Sequence, residues 1–262
     1  MDTLTVEHSG GVVTVTMNRP DRKNAANPQM FDELTEVFRA VASDRQERVM
    51  VITGAGDGFC SGADLAEAAE TVDSDRGIGA SLASMRAVGQ CALALHQIPQ
   101  PTIAAVNGVA AGAGCNLALG CDLIVASEQA RFSQIFVKRG LNIDFGGSWI
   151  LPRLVGMHKA KELALLADML SAREAEALGF VNRVVPHEAL AGAVADLTDR
   201  ILKLPPVALA STKRLLNQSF SVSMSEALEF EDTAQAMNFG ARDTAEALLA
   251  FLEKRDPNFT GQ

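Results

Sequence analysis

Two glycine-rich turns are where the backbone of this chain could do chemistry. The first reads Phe59-Cys60-Ser61-Gly62-Ala63-Asp64-Leu65; the second reads Asn107-Gly108-Val109-Ala110-Ala111-Gly112-Ala113-Gly114-Cys115-Asn116. Both follow apolar runs of strand character. Neither contains Gly-Lys-Ser/Thr or Gly-x-Gly-x-x-Gly, so no nucleotide-phosphate motif is present. Glycine lets a ligand approach the backbone closely, and the amides at a helix start point outward with the positive end of its dipole. One N–H from each turn aimed at a single oxygen would form an oxyanion hole. Taken by spacing alone, each turn can equally be a plain chain reversal.

Other chemistries find less support. Cys60, Cys91, Cys115 and Cys121 form no Cys-x-x-Cys pair, and His8, His96, His158 and His187 form no His-Glu-x-x-His pattern. No metal site is expected, and reduced thiols in an intracellular protein are the plain reading.

The elements around the turns read as follows. Leu4 to Val6 and Val12 to Met17 are β-branched runs joined across His8-Ser9-Gly10-Gly11, a hairpin pattern. Asn27-Pro28 starts a helix with Met30, Leu34, Val37, Phe38 and Val41 on one face. Val49 to Thr53 is a buried strand, and the polar segment Glu67 to Gly79 reads as a loop or frayed helix. Ile98-Pro99-Gln100-Pro101 ends a helix before the strand Thr102 to Val106; a helix at Cys115 to Leu119 and a strand at Leu123 to Ala126 follow. Strand, turn and helix alternate to about Val185, which predicts an α/β fold with buried strands. From about Glu188 only helices are expected: one from Pro205-Pro206, one behind a capping box at Ser223 to Glu226, and one over Ala245 to Lys254.

Composition narrows the partners. The 262 residues carry 23 basic and 32 acidic side chains, a formal charge of −9, which disfavours nucleic acid as a partner. With no Tyr and one Trp, a stacking platform for single strands is also disfavoured. The nearest approach to a membrane span, Thr102 to Ser127, contains Asn107, Asn116 and Asp122. Those groups are costly in lipid, so a soluble cytoplasmic protein without a membrane partner is expected.

The residues around the turns carry more information than their spacing. Phe59 to Leu65, Ala104 to Asp122, Gly146-Gly147-Ser148-Trp149-Ile150-Leu151-Pro152-Arg153-Leu154-Val155-Gly156, Gly179-Phe180-Val181-Asn182 and Phe251 to Arg255 occur in order. With Asn18-Arg19-Pro20 and Asn24-Ala25 near the start, this series strongly resembles the crotonase (enoyl-CoA hydratase/isomerase) family over nearly the whole chain. The resemblance implies a spiral core of ββα units over residues 1–195 and a helical trimerisation region over 196–262. It also implies acyl-CoA substrates, no cofactor beyond the CoA thioester itself, and a homotrimer or a hexamer of paired trimers.

Carried over residue by residue, the resemblance puts the oxyanion amides on Ala63 and Ala113. Ser61, Asp64 and Leu65 would line the CoA channel beside Lys23 and Ala25. Gly112, Gly114, Asn116 and Phe136 would belong to the substrate site, although for Asn116 a helix residue that hydrogen-bonds locally is an alternative. Lys254 would reach a neighbouring subunit's CoA phosphate, although for Lys23 and Lys254 an ordinary solvated charge is an equal alternative.

The departures bear on the reaction. Hydratases of the family use two glutamates to hold and activate water; this chain has Asn116 and Phe136 at those positions. Asn is no general base and Phe has no polar atom. A carboxylate does stand at Asp144, where family isomerases carry a proton-transferring acid, although the alternative is that it caps the helix near Gly146. The Asn, Phe and Asp combination resembles most the phenylacetate-pathway ring-epoxide and 3-enoyl-CoA isomerase group. Burial between Phe136 and Phe145 would raise the Asp144 pKa. The expectation is therefore an enoyl-CoA isomerase; alternatives are a 2-enoyl-CoA hydratase or a non-catalytic acyl-CoA-binding or RNA-binding relative.

Overall fold

The structure, a computed structural model, describes residues 1–70 and 78–262, with the side chains of residues 68–70 excepted. Part of the polar segment Glu67 to Gly79 therefore lies outside the described residues.

Val and Thr alternation makes β1 (Leu4–Ser9) and β2 (Val12–Met17) an antiparallel hairpin, as the sequence predicts. The helix α1 (Pro28–Ser43) then begins where Asn27 accepts from the Met30 amide and Pro28 supplies a preset φ. Its Met30, Leu34, Val37, Phe38 and Val41 are buried at helical spacing. From there the chain repeats one unit three times. The strand β3 (Val49–Gly54) is followed by β4 (Gly58–Cys60), then α2 (Leu65–Glu70) and α3 (Ile78–His96). Next, β5 (Thr102–Val106) and β6 (Val109–Ala111) lead into α4 (Ala113–Leu119). Then β7 (Leu123–Ser127) and β8 (Arg131–Ser133) pass through a 3-10 turn, Ile135–Arg139, to α5 (Gly147–Val155).

The first strand of each pair joins one sheet and the second joins another. After α6 (Met157–Leu166), β9 (Leu170–Ser171), α7 (Ala172–Ala177) and β10 (Arg183–Val185), the larger sheet has the order β1-β2-β3-β5-β7-β10. The smaller sheet is β4-β6-β8-β9. The pairings β2–β3, β3–β5, β5–β7 and β7–β10 are parallel, as are β4–β6 and β6–β8. This is a spiral of ββα units. Period-two alternation covers both faces of the large sheet. Met50, Ile52, Ala104, Val106, Ile124 and Ala126 face the main core. Val49, Val51, Ile103, Ala105 and Val125 face Leu190, Val194 and Ile201 of α8 (Leu190–Leu202).

That packing moves the expected boundary. A division at 195–196 falls inside α8, whose apolar face covers the sheet, so the helical layer begins beyond Leu202. It comprises α9 (Pro206–Gln218), α10 (Met224–Phe239) and α11 (Arg242–Glu253). The capping box at Ser223 and Glu226 forms as expected. Neither α9 nor α10 has a fully buried residue.

Thr102 to Ser127, the stretch nearest a span by composition, is folded as β5, β6, α4 and β7. Among the described residues, α3 is the one helix long and apolar enough to cross a membrane by length and composition. Its Val88, Cys91, Ala94 and Leu95 are buried in the main core.

Candidate active site

The two glycine turns meet because β4 and β6 are adjacent parallel strands that end side by side. Gly62 has φ +104°, and a Cβ there would lie 2.9 Å from the Ala111 carbonyl oxygen and 3.8 Å from Gly112 Cα. Gly114 lies similarly close to the first turn, since its Cβ would fall 2.2 Å from the Cys60 carbonyl oxygen. Only glycine fits at either contact.

A short extended segment secures the first turn. The Ser61 amide donates to the Lys23 carbonyl (3.0 Å), Ala26 to Gly62 (2.7 Å) and Asp64 to Ala26 (2.9 Å). These bonds alternate along the chain and leave the Ala63 amide out. In the second turn the Gly112 amide donates to the Ser133 carbonyl at 2.9 Å. Ala113 is the first residue of α4, so its amide has no intrahelical acceptor. Among the described hydrogen bonds, neither the Ala63 nor the Ala113 N–H has a protein acceptor. Two free amides, each following one of two touching glycines, are the donors that an oxyanion hole requires.

Asp64 holds the turn and does not face an open channel. Its carboxylate is buried and lies 2.9 Å from the Arg19 guanidinium. Burial pushes the Asp64 pKa up, but the hydrogen bond from the Glu67 amide and the Arg19 guanidinium paired with it hold it below the ordinary value. Arg19 also donates to the Ala25 carbonyl at 2.6 Å. Asn24, fully buried, donates to the Ala55 and Gly58 carbonyls and accepts from the Arg19 amide. The motif Asn18-Arg19-Pro20 was visible in the sequence; the role of Arg19 as a brace for the first turn was not. Ala25 is buried, Leu65 is exposed at the start of α2, and the Ser61 hydroxyl donates to the Arg22 carbonyl at 3.3 Å.

Asp144 lies in the loop before α5. Its side chain does not cap that helix: the N-cap is Gly146, and no side chain fills the role. The capping alternative is thereby set aside. Asp144 Oδ1 is buried without a hydrogen-bond partner, and burial alone pushes its pKa up to about 6. The Asp144 carbonyl is held twice, by the Gly147 amide and by Asn116 Nδ2, each at 2.9 Å. Phe145 beside it adopts φ +47° and places its ring 6.0 Å from that of Phe31.

Asn116 has no exposed surface, and its Oδ1 accepts from Gln134 Nε2 at 2.8 Å. Both ends of its amide are thus engaged by protein, so it is not an open ligand contact as expected from the sequence. Its partners lie 18 and 28 residues away, which also excludes purely local bonding. Gln134 was not singled out from the sequence. Phe136 is buried, with ring carbons 3.7 Å from where a Cβ on Gly112 would lie. It walls the second turn.

The two lysines lie at the periphery. Lys23 pairs with Asp57 and is half exposed. Lys254 ends α11 in a left-handed conformation, and its ammonium makes no ion pair among the described residues. All four cysteines are free and buried, and burial pushes the Cys60 thiol up to about 11. They are poor nucleophiles in that state. No cluster of His, Cys, Asp and Glu able to hold a metal ion occurs among the described residues.

The fold is thus a ββα spiral with two free turn amides, and its Asp144 carboxyl has one buried, unpartnered oxygen. Residues 7–262 match the enoyl-CoA hydratase/isomerase family. The Escherichia coli K12 1,2-epoxyphenylacetyl-CoA isomerase is 38% identical over 253 residues, covering 96% of each chain. The short-chain-enoyl-CoA hydratase of Clostridium acetobutylicum is 36% identical over 259 residues, covering 97% of this chain and 96% of its own. A crystal structure of enoyl-CoA hydratase from Bacillus anthracis aligns with a TM-score of 0.93 at 30% identity, covering 99% of this chain and 100% of that one. The chain belongs to the enoyl-CoA hydratase/isomerase family and is an acyl-CoA enzyme of it.

Proposed function

We propose that the enzyme is an enoyl-CoA isomerase. The thioester carbonyl accepts from the Ala63 and Ala113 amides. The Asp144 carboxylate removes a proton from C2 of a 3-enoyl-CoA, and the resulting dienolate is held as an oxyanion. The protonated Asp144 then returns that proton to C4, giving the 2-enoyl-CoA without external acid or base. One oxyanion donor typically contributes ~3 kcal/mol to the transition state.

The observation that carries this reading is the state of Asp144. Its buried oxygen lacks a partner and its pKa is about 6. Such a group is about nine-tenths ionised at neutral pH, yet a far better base than an ordinary carboxylate. Ring-epoxide acyl-CoA substrates are included in the proposal because of the Escherichia coli relative's name. The test is turnover of a panel of 3-enoyl-CoA esters and of ring-epoxide phenylacetyl-CoA by wild type and Asp144→Asn. Full turnover by the variant would refute the assignment.

Hydration of 2-enoyl-CoA is the second reading, favoured by the hydratase names among the relatives. It needs a water held between two acid/base groups, whereas Asn116 is locked in a buried network and Phe136 is apolar. Rapid loss of the conjugated thioester absorbance with crotonyl-CoA would put hydration first. A non-catalytic acyl-CoA binder would titrate with acyl-CoA by calorimetry yet turn over nothing in the panel.

The assembly belongs to the same proposal: a trimer or a pair of trimers joined through the C-terminal helices. Phe220, Met237, Phe239, Leu248, Phe251 and Leu252 are all more than half exposed in the single chain. Apolar burial contributes about 25 cal/mol per Å², enough for a few such side chains per subunit to hold an interface. Lys254, at the end of α11, would then approach a neighbour's CoA. No cofactor is required beyond the substrate's own CoA, and a cytoplasmic location fits the chemistry.

A further inference from the structure

The position where family hydratases carry their first glutamate is occupied here by a residue fully engaged in a buried network. Asn116 is one helical turn beyond the Ala113 amide, on the same short helix. Its Nδ2 donates to the Asp144 carbonyl at 2.9 Å, and its Oδ1 is fixed by Gln134 Nε2 at 2.8 Å. Gln134 is itself buried. This arrangement defines the orientation of the Asn116 amide: reversed, it would set oxygen against the Asp144 carbonyl and NH2 against the Gln134 donor.

The surrounding backbone is shaped to this side chain. A Cβ on Gly147 would lie 2.3 Å from Asn116 Nδ2 and 2.6 Å from its Oδ1, so only glycine leaves the Asn116 amide its place. Between the two, Phe145 and Gly146 both have positive φ, +47° and +76°. A non-glycine residue held in that region persists only where its surroundings over-determine it. The loop that carries Asp144 is therefore strained at Phe145 and is hydrogen-bonded to α4 through the Asn116 side chain.

We propose that Asn116, braced by Gln134, is a positioning residue. It holds the Asp144 carbonyl so that the neighbouring carboxylate keeps a fixed place relative to the Ala63 and Ala113 amides. This rests on the isomerase reading. The same helix then sets both halves of the reaction geometry, its first amide binding the thioester oxygen and its first turn aiming the base. Position 116 acts on the reaction through the backbone of another loop and makes no contact with substrate.

The test compares wild type with Asn116→Ala and with Gln134→Met, which keeps the volume at 134 but removes its donor. Three quantities are read: turnover of a 3-enoyl-CoA, the dissociation constant for a saturated acyl-CoA, and the Asp144 titration midpoint. The midpoint comes from carboxyl carbon NMR, with the resonance assigned by its loss in Asp144→Asn. Turnover is expected to fall between about 10- and 100-fold, the loss that a misplacement of about 1 Å brings. Acyl-CoA binding should change by less than about twofold, because the amide pair is untouched. The Asp144 midpoint should move from about 6 toward about 4 as the loosened loop admits water.

Unchanged turnover and midpoint would overturn the proposal. So would reduced turnover with the midpoint still near 6, or weakened acyl-CoA binding with an unmoved midpoint, which would make Asn116 a ligand contact. If Asn116→Ala does not fold, Gln134→Met carries the test alone. Should wild type prove inactive on every 3-enoyl-CoA while the midpoint still shifts in the variants, the isomerase reading fails and the clamp stands.

Discussion

Replacing Asp144 with Asn should make the protein more stable, and only above a particular pH. The carboxyl is pushed from 3.8 to about 6 by burial, with no charge partner to offset it. Its folded pKa therefore exceeds its unfolded one. Between those values the folded state binds more protons than the unfolded state, so stability falls as pH rises through that window. The shift is about two units, and at about 1.4 kcal/mol per unit the ionised group destabilises the fold by about 3 kcal/mol at pH 7. An asparagine of the same shape cannot ionise and escapes that cost. Urea denaturation of both proteins from pH 4 to pH 8, at one fixed subunit concentration, reads the difference. The two curves should coincide near pH 4 and diverge by up to about 3 kcal/mol above pH 6, with Asp144→Asn the more stable. A gap that does not depend on pH, or a wild type that is the more stable at pH 8, would refute the reasoning.

Three further outcomes follow from the geometry. Gly62→Ala puts a Cβ 2.9 Å from the Ala111 carbonyl oxygen at φ +104°; displacing the Ala63 amide should lower turnover by about 10²-fold, read in steady-state kinetics. Arg19→Met leaves the buried Asp64 carboxylate without its cation and should destabilise the protein by about 3 kcal/mol at pH 7 in denaturant titration. Because the Asp64 pKa is held below the ordinary value, that loss should shrink as pH falls through the carboxylate range. If the proposed trimer or pair of trimers is held by the C-terminal helices, Phe251→Glu, at a side chain that is 82% exposed in the single chain, should lower the mass seen by light scattering from three or six times 27.7 kDa toward that of one chain.

Local signals in the sequence identified much of the fold. Asn27-Pro28 and the spacing of Met30, Leu34, Val37 and Phe38 define α1 because capping and helical periodicity act within a few residues. The strands β3, β5 and β7 are legible as short apolar runs because both of their faces are covered. The two glycine turns were legible as places where backbone amides go unpaired. Singling out Ala63 and Ala113 took the family resemblance, because a glycine turn by itself does not say which amide is left without an acceptor. What the sequence concealed is long-range pairing of polar groups. Asp64 reads as a channel residue until its partner Arg19 is placed beside it. Asn116 reads as a substrate contact or a locally bonded helix residue until Asp144, 28 residues on, is folded back against it. The start of α3 was hidden for another reason: Ile78, Leu82 and Met85 are exposed, so they leave no one-sided apolar pattern.

The isomerase reading also explains why the two replaced glutamates belong together. Phe136 packs on the Gly112 turn, and Asn116 is consumed in holding the Asp144 loop. On that reading, Phe136 puts an apolar wall where the resemblance implies a water-binding glutamate, and Asn116 puts a brace where it implies an acid/base one. Both disfavour a bound nucleophilic water, and burial is what lifts Asp144 to about 6. A dry site that raises a carboxyl pKa strengthens it as a proton acceptor and lets it return the same proton to a second carbon. On the proposed reading, the same burial disfavours the ordered water that addition would need. Proton shuttling and poor hydration are, on the proposed isomerase reading, two consequences of one environment, built at a cost in stability that the carboxylate itself imposes.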